Sequence, residues 1–141
     1  MICYFDASAL VKRYVEELHS AAVNRMLSRV TALTSRLSQA EIASALARRY
    51  RNGDLKVGQC NRLLKAVQND IASLYVVEIS PELCAFACSL LMRHKLRAGD
   101  SLHLASALLC SNRANITIHF VGFDNNLNAA ARKEGLRVPA F

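Results

Sequence analysis

Met1-Ile2-Cys3-Tyr4-Phe5-Asp6-Ala7-Ser8 is the stretch whose reading decides the fold. Ile2 to Phe5 is a continuous apolar run, and a carboxylate and then a hydroxyl follow it directly. A run of this kind reads as a strand buried on both faces, as in the middle of a parallel sheet. Ala9, Leu10, Val11 and Tyr14 then begin a helical pattern. In open α/β sheets the functional crevice lies beyond the carboxyl ends of the strands, which puts Asp6 at its mouth. Asp6 is equally suited to capping the helix that follows, so its role depends on what the rest of the chain brings to it.

Working outward, the sequence predicts a helix from Ser8 to about Glu16 and another from Leu18 to Val30. Thr31 to Thr34 is a candidate second strand, and Ser35 caps a long helix through Tyr50, closed by Asn52-Gly53. Cys60, Leu63, Leu64, Val67, Ile71 and Leu74 mark one face of the next helix. Leu74 to Ile79 is rich in β-branched residues and reads as a strand. Ser80-Pro81-Glu82 starts a helix reaching about Lys95, and Ala98-Gly99-Asp100 starts another reaching about Ser111. Ile116 to Phe123 reads as a strand ending at Asp124, followed by a helix from Asn126 to Glu134 and a short strand at Leu136 to Val138. Strands alternating with helices predict an α/β fold: a single domain over residues 1–141, with a central parallel sheet of four to five strands and helices on both faces.

Composition bounds the function. Half of the 141 residues are apolar and only two are proline, which fits a packed domain. No apolar run approaches the roughly 20 residues needed to span a bilayer, and the opening run is far too short for a signal peptide. Five cysteines, an odd number without paired zinc spacing, are expected to be free core thiols in a reducing cytosol. The net charge of +7 favours polyanionic partners. Against that background a cluster among only eleven acids is informative.

Asp6, Glu41, Asp100 and Asp124 are the four acids that such a fold could aim at one place. Asp124 repeats the context of Asp6, an apolar strand, then a carboxylate, then a helix. Taken singly, Asp100 and Asp124 are also good cap residues, and Glu41 an ordinary half-exposed helix acid. His103, three residues after Asp100, is expected to pack or hydrogen-bond rather than react.

Taken together, Asp6-Ala-Ser8-Ala-Leu-Val-Lys, Ser38-Gln-Ala-Glu41-Ile-Ala-Ser-Ala-Leu, Asp100-Ser-Leu-His-Leu-Ala-Ser-Ala and Phe123-Asp124-Asn-Asn-Leu resemble a PIN domain. More narrowly they resemble the VapC-type toxins of bacterial toxin–antitoxin pairs. The resemblance covers nearly the whole chain; Ser101, where alanine is common, departs mildly from it. It implies a metal-dependent endoribonuclease that hydrolyses RNA phosphodiester bonds in the cytoplasm. It also implies a homodimer with no membrane association, held inactive by a VapB-type antitoxin. By motif position Asp6, Glu41, Asp100 and Asp124 fall on the acidic pocket and Ser8 on its hydroxyl position.

Phosphodiester hydrolysis needs an activated water and neutralisation of phosphoryl charge, which Mg²⁺ or Mn²⁺ held by carboxylates supplies. On this reading Asp6 and Asp100 are direct metal ligands, and Asp124 completes the site directly or through water. Glu41 binds metal or orients the water, and Ser8 donates to a carboxylate or water. Arg48 and Arg49 are candidate RNA contacts. The antitoxin is expected in a groove near Leu10, Tyr14, Leu46 and Tyr50. The rival reading is a non-catalytic RNA- or partner-binding protein that retains the fold.

Overall fold

The run Ile2–Phe5 forms strand β1, with Cys3, Tyr4 and Phe5 fully buried, in a computed structural model that describes residues 1–141. Three further strands, β2 (Thr31–Ser35), β3 (Tyr75–Val77) and β4 (His119–Val121), complete a wholly parallel sheet in the order β3-β2-β1-β4. Seven α-helices join and cover them: α1 (Ala7–Leu10), α2 (Ser20–Leu27), α3 (Arg36–Arg51), α4 (Val57–Ser73), α5 (Pro81–Arg93), α6 (Ala98–Ala114) and α7 (Asn125–Lys133).

Alternation along the strands divides the interior in two. Cys3, Phe5, Ala32 and Val121 face a core shared with α1, α3 and α4, through residues such as Leu10, Ile42, Leu46, Val67 and Ile71. Tyr4 and Phe120 face the opposite core, where Leu83, Leu90, Leu104, Leu108 and Leu127 come from α5, α6 and α7. The chain winds from β1 outward to β2 and β3, then returns to place β4 on the other side of β1. The order therefore reverses at β1, and a crevice opens beyond the carboxyl ends of β1 and β4.

The structure shortens several expected elements. β3 and β4 are three residues each: β3 is an edge strand paired with β2 alone, over Leu33 to Ser35, and β4 pairs with Cys3 to Phe5 of β1. The final strand reduces to one bridge between His119 and Arg137. The first helix stops at Leu10 and tightens into a 3₁₀ turn, Val11–Arg13, after which Val15 enters the core.

Two side-chain expectations are also corrected. Cys84 and Cys88 are exposed, because α5 turns Leu83, Ala87 and Leu90 inward; all five cysteines are free thiols. Leu46 lies in the core, so the groove on that side is instead lined by Leu10, Tyr14, Asn24, Leu27, Asp70 and Leu74.

Candidate active site

β1 delivers Asp6 directly. Its backbone N–H still donates to Val121 at 3.1 Å, so the residue sits at the very end of the β1–β4 pair. Thr34 secures the same end from the other side: its hydroxyl donates to the Phe5 carbonyl at 2.7 Å and meets Ser38 of α3 at 2.7 Å. The Asp6 carboxylate is used twice. Oδ1 accepts from the Ala9 N–H at 2.9 Å, capping α1, and from the Ser8 hydroxyl at 2.6 Å. Ser8 in turn accepts from the Phe123 N–H at 2.9 Å, which ties the loop after β4 to the loop after β1.

Beyond β4 the chain passes Gly122 and Phe123 to Asp124. A Cβ at Gly122 would lie 2.6 Å from Asp6 Oδ2 and 3.0 Å from its Cγ, so glycine is required for the two strand ends to lie this close. Asn128 on α7 fixes the turn by donating to the Gly122 carbonyl at 2.9 Å. Asp124 caps α7 through Oδ1, which accepts from the Leu127 N–H at 2.8 Å.

Glu41 comes from α3 and Asp100 from the first turn of α6, and both reach the same crevice. Asp6, Ser8, Glu41, Arg48, Arg97, His103, Phe123, Asp100 and Asp124 line one cavity of about 400 Å³. All four acids and Ser8 are thus brought together. Of the two candidate RNA contacts Arg48 is on the wall, whereas Arg49 is drawn away into a 2.9 Å ion pair with Glu17. Arg97, from the basic group Arg93, Lys95 and Arg97, shares the wall 3.7 Å from Asp100.

His103, expected to pack or hydrogen-bond, does both. It is 2% exposed, with Nδ1 2.8 Å from the Tyr4 hydroxyl and Nε2 3.1 Å from Glu41 Oε1. Burial raises the Tyr4 pKa well above the ordinary phenol value, so Tyr4 keeps its proton and donates it to Nδ1. The imidazole proton then sits on Nε2 and points at Glu41, an assignment that follows from the partners of the two nitrogens. The Asp-x-x-His spacing is the only trace of this in the sequence, because Tyr4 and Glu41 are remote along the chain.

The electrostatics are those of crowded acids. Burial raises the Asp6 pKa and Glu41 adds to the rise, while His103, the Ser8 hydroxyl and the Ala9 N–H oppose it. Burial also raises Asp100, and Asp124 and Glu41 push it further, against Arg97 and His103. The donor set is carboxylate and hydroxyl oxygen without a thiolate, which suits a hard cation rather than zinc or copper. No three His, Cys, Asp or Glu side chains close into a ready-made cage. Acids spread over cavity walls fit an ion such as Mg²⁺, which keeps several waters and takes one or two carboxylates directly.

A family model described as the PIN domain matches residues 3–133. A relative named Ribonuclease VapC45, from Mycobacterium tuberculosis (strain CDC 1551 / Oshkosh), is 32% identical over 138 residues, covering 97% of this chain and 94% of the relative. Among solved structures, VapC20 of Mycobacterium tuberculosis, described as a sarcin-ricin loop cleaving toxin, superposes with a TM-score of 0.68 at 19% identity, over 92% of this chain and 95% of its own. A toxin–antitoxin complex from Klebsiella pneumoniae contains a chain with a TM-score of 0.59 at 13% identity, covering 83% of each. At these identities the two structures bear on the fold alone.

Proposed function

The chain belongs to the PIN-domain family, and from that premise we propose that it is an endoribonuclease, the toxin of a toxin–antitoxin pair. One observation carries the reading: Asp6, Glu41, Asp100 and Asp124, far apart in sequence, line a single cavity at the strand-order reversal with Arg48 and Arg97 beside them. The nucleolytic chemistry is supported by the ribonuclease relative at 32% identity over nearly the full chain.

Asp6, Asp100 and Asp124 would hold a Mg²⁺ or Mn²⁺ ion. Such an ion, when bound, neutralises phosphoryl charge and lowers the pKa of a bound water. The chain's own groups set the stage. Ser8 fixes the rotamer of Asp6 through its 2.6 Å bond and leaves Oδ2 free of the capping contacts. His103 holds Glu41 by Oε1 and leaves Oε2 without that bond, and from its place in the cavity lining Glu41 would accept a proton from the attacking water. Arg48 and Arg97 bind the phosphates flanking the scissile bond and offset the charge of the acid wall.

The protein acts in the cytoplasm as a homodimer and is restrained by a small VapB-type antitoxin, on this reading. The antitoxin belongs to this proposal because the chain's motifs resemble VapC-type toxins and its 32% identical relative is named Ribonuclease VapC45. No helix is long and apolar enough to cross a membrane. The test is cleavage of single-stranded RNA with Mg²⁺, with Mn²⁺ and with EDTA, by the wild type and by Asp100→Asn. Cleavage that needs the ion and is lost in the variant is expected. Binding of RNA without cleavage under any ion would instead favour a docking protein that keeps the fold.

A further inference from the structure

We infer that Phe123, His19 and Phe141 form a nucleobase-stacking subsite beside the acid cavity, accepting a base adjacent to the phosphate being cleaved. This rests on the ribonuclease reading and deepens it. Phe123 lines the cavity immediately before Asp124. His19 lies nearly parallel to it, with ring centres 5.5 Å apart and planes at 15°. Phe141 leans on both, 5.1 Å from Phe123 and 6.1 Å from His19. The cluster is continuous aromatic surface running outward from the wall of the acid cavity.

Its exposure argues for a ligand. An aromatic cluster serving only the core would be buried, yet His19 and Phe123 are half-buried and Phe141 is 40% exposed. His19 is held in the left-handed region, at φ 72°, which costs energy for a side chain of this size. That conformation is not explained by capping, since the His19 side chain makes no cap bond to α2. The platform is also stiffened from within. The Lys12 ammonium sits 4.5 Å from the centre of the Phe123 ring and is tethered by a 3.1 Å ion pair to Glu17.

The lining of the same cavity also has the complementary chemistry, the guanidinium groups of Arg48 and Arg97. A single RNA strand presents charged phosphates along its backbone and flat apolar faces on its bases. Cations lining the cavity and aromatic rings running outward from Phe123 match both features, and stacking on aromatic side chains is how unpaired bases are commonly held. A small phosphate ester would have no use for the aromatic wall.

The experiment uses the intact protein and a short oligoribonucleotide carrying 2-aminopurine next to the cleaved bond. Phe141→Ala and Phe141→Leu should each raise KM about tenfold, as for loss of one stacked base, with kcat nearly unchanged. Phe141→Trp should restore the wild-type KM, which a need for mere apolar packing at this position does not predict. In the background of Asp100→Asn, expected to bind without cutting, 2-aminopurine fluorescence should be quenched on binding, and Phe141→Ala should remove the quench. Equal KM in wild type, Phe141→Ala and Phe141→Leu overturns the subsite while leaving the nuclease reading intact. If the wild type cuts no RNA, the nuclease reading fails by itself. The quench then decides the subsite alone, and its absence overturns it.

Discussion

Gly122 lacks a side chain because Asp6 occupies the space. Gly122→Ala would put a methyl 2.6 Å from the carboxylate oxygen and force Asp6 aside. Since a displacement near 1 Å can cost about 10²-fold in rate, cleavage should fall by that order. The variant should remain folded by circular dichroism, and unimpaired cleavage would contradict the placement of Asp6. His103 offers a second test. His103→Leu removes the 2.8 Å partner of the buried Tyr4 hydroxyl, at a cost of about 1 kcal/mol, and also frees Glu41. Its kcat should drop with KM little changed, whereas His103→Gln, which can accept from Tyr4 and donate to Glu41, should recover part of kcat. Asp6 and Asp124 were legible in the sequence because a strand, an acid and a helix are a local pattern. The bond from His103 to Glu41 depends on a neighbour 62 residues away that only the packing of α3 against α6 brings into register.

At the scale of elements, caps were the dependable signals. Ser35 and Ser80 begin α3 and α5 as expected, their hydroxyls accepting from Leu37 and Leu83 at 3.1 Å each. Strand lengths were not legible, because pairing with β2 for β3 and with β1 for β4, rather than local propensity, sets where these strands end. The 3₁₀ turn after α1 is fastened to α4 in a way that gives a pH signature. Burial acts to raise the Asp70 pKa, but Arg13 at 2.6 Å and the Tyr14 hydroxyl at 3.0 Å outweigh it and leave Asp70 below the ordinary carboxylate value. Its contribution is therefore present above an unfolded value near 3.8 and is lost as pH falls through the lower folded value. Half-exposed pairs of this kind are worth about 0.5 kcal/mol. Asp70→Asn should thus cost about that much at pH 7 and nothing below pH 3 in denaturant melts. An equal cost at both pH values would mean that packing, not charge, is lost.

For the whole molecule, the acid cavity runs the opposite way. Asp6 and Asp100 have raised pKa values, chiefly from burial, so their contribution is full below an unfolded value near 3.8 and is lost as pH rises through the folded values. Metal-free protein should melt lower as these groups ionise, and millimolar Mn²⁺ should reverse the fall by binding the native state. Asp6→Asn, which keeps an acceptor for the Ala9 N–H, should melt about 3 °C higher than wild type in EDTA at pH 7.5 and gain less from Mn²⁺. A variant that melts lower in EDTA yet gains the full Mn²⁺ shift would make Asp6 a helix cap only. At this scale the parallel sheet and its two helical layers were legible from alternation of strand and helix. Which walls the basic residues face was not, since the +7 charge says nothing of geometry.

The return of β4 to the open side of β1 has a consequence for synthesis. The strand made first waits, with one edge unpaired, until residues 119–121 have left the ribosome, and Asp124 arrives only after them. A nascent chain therefore carries two of its four acids from residue 41 and three from residue 100, and lacks the complete cavity until Asp124 has been added. A cell making such an enzyme is protected from the unfinished product by chain order alone. A fragment stopped at Asn115 should accordingly cut no RNA and, with the edge of β1 bare, should aggregate on release.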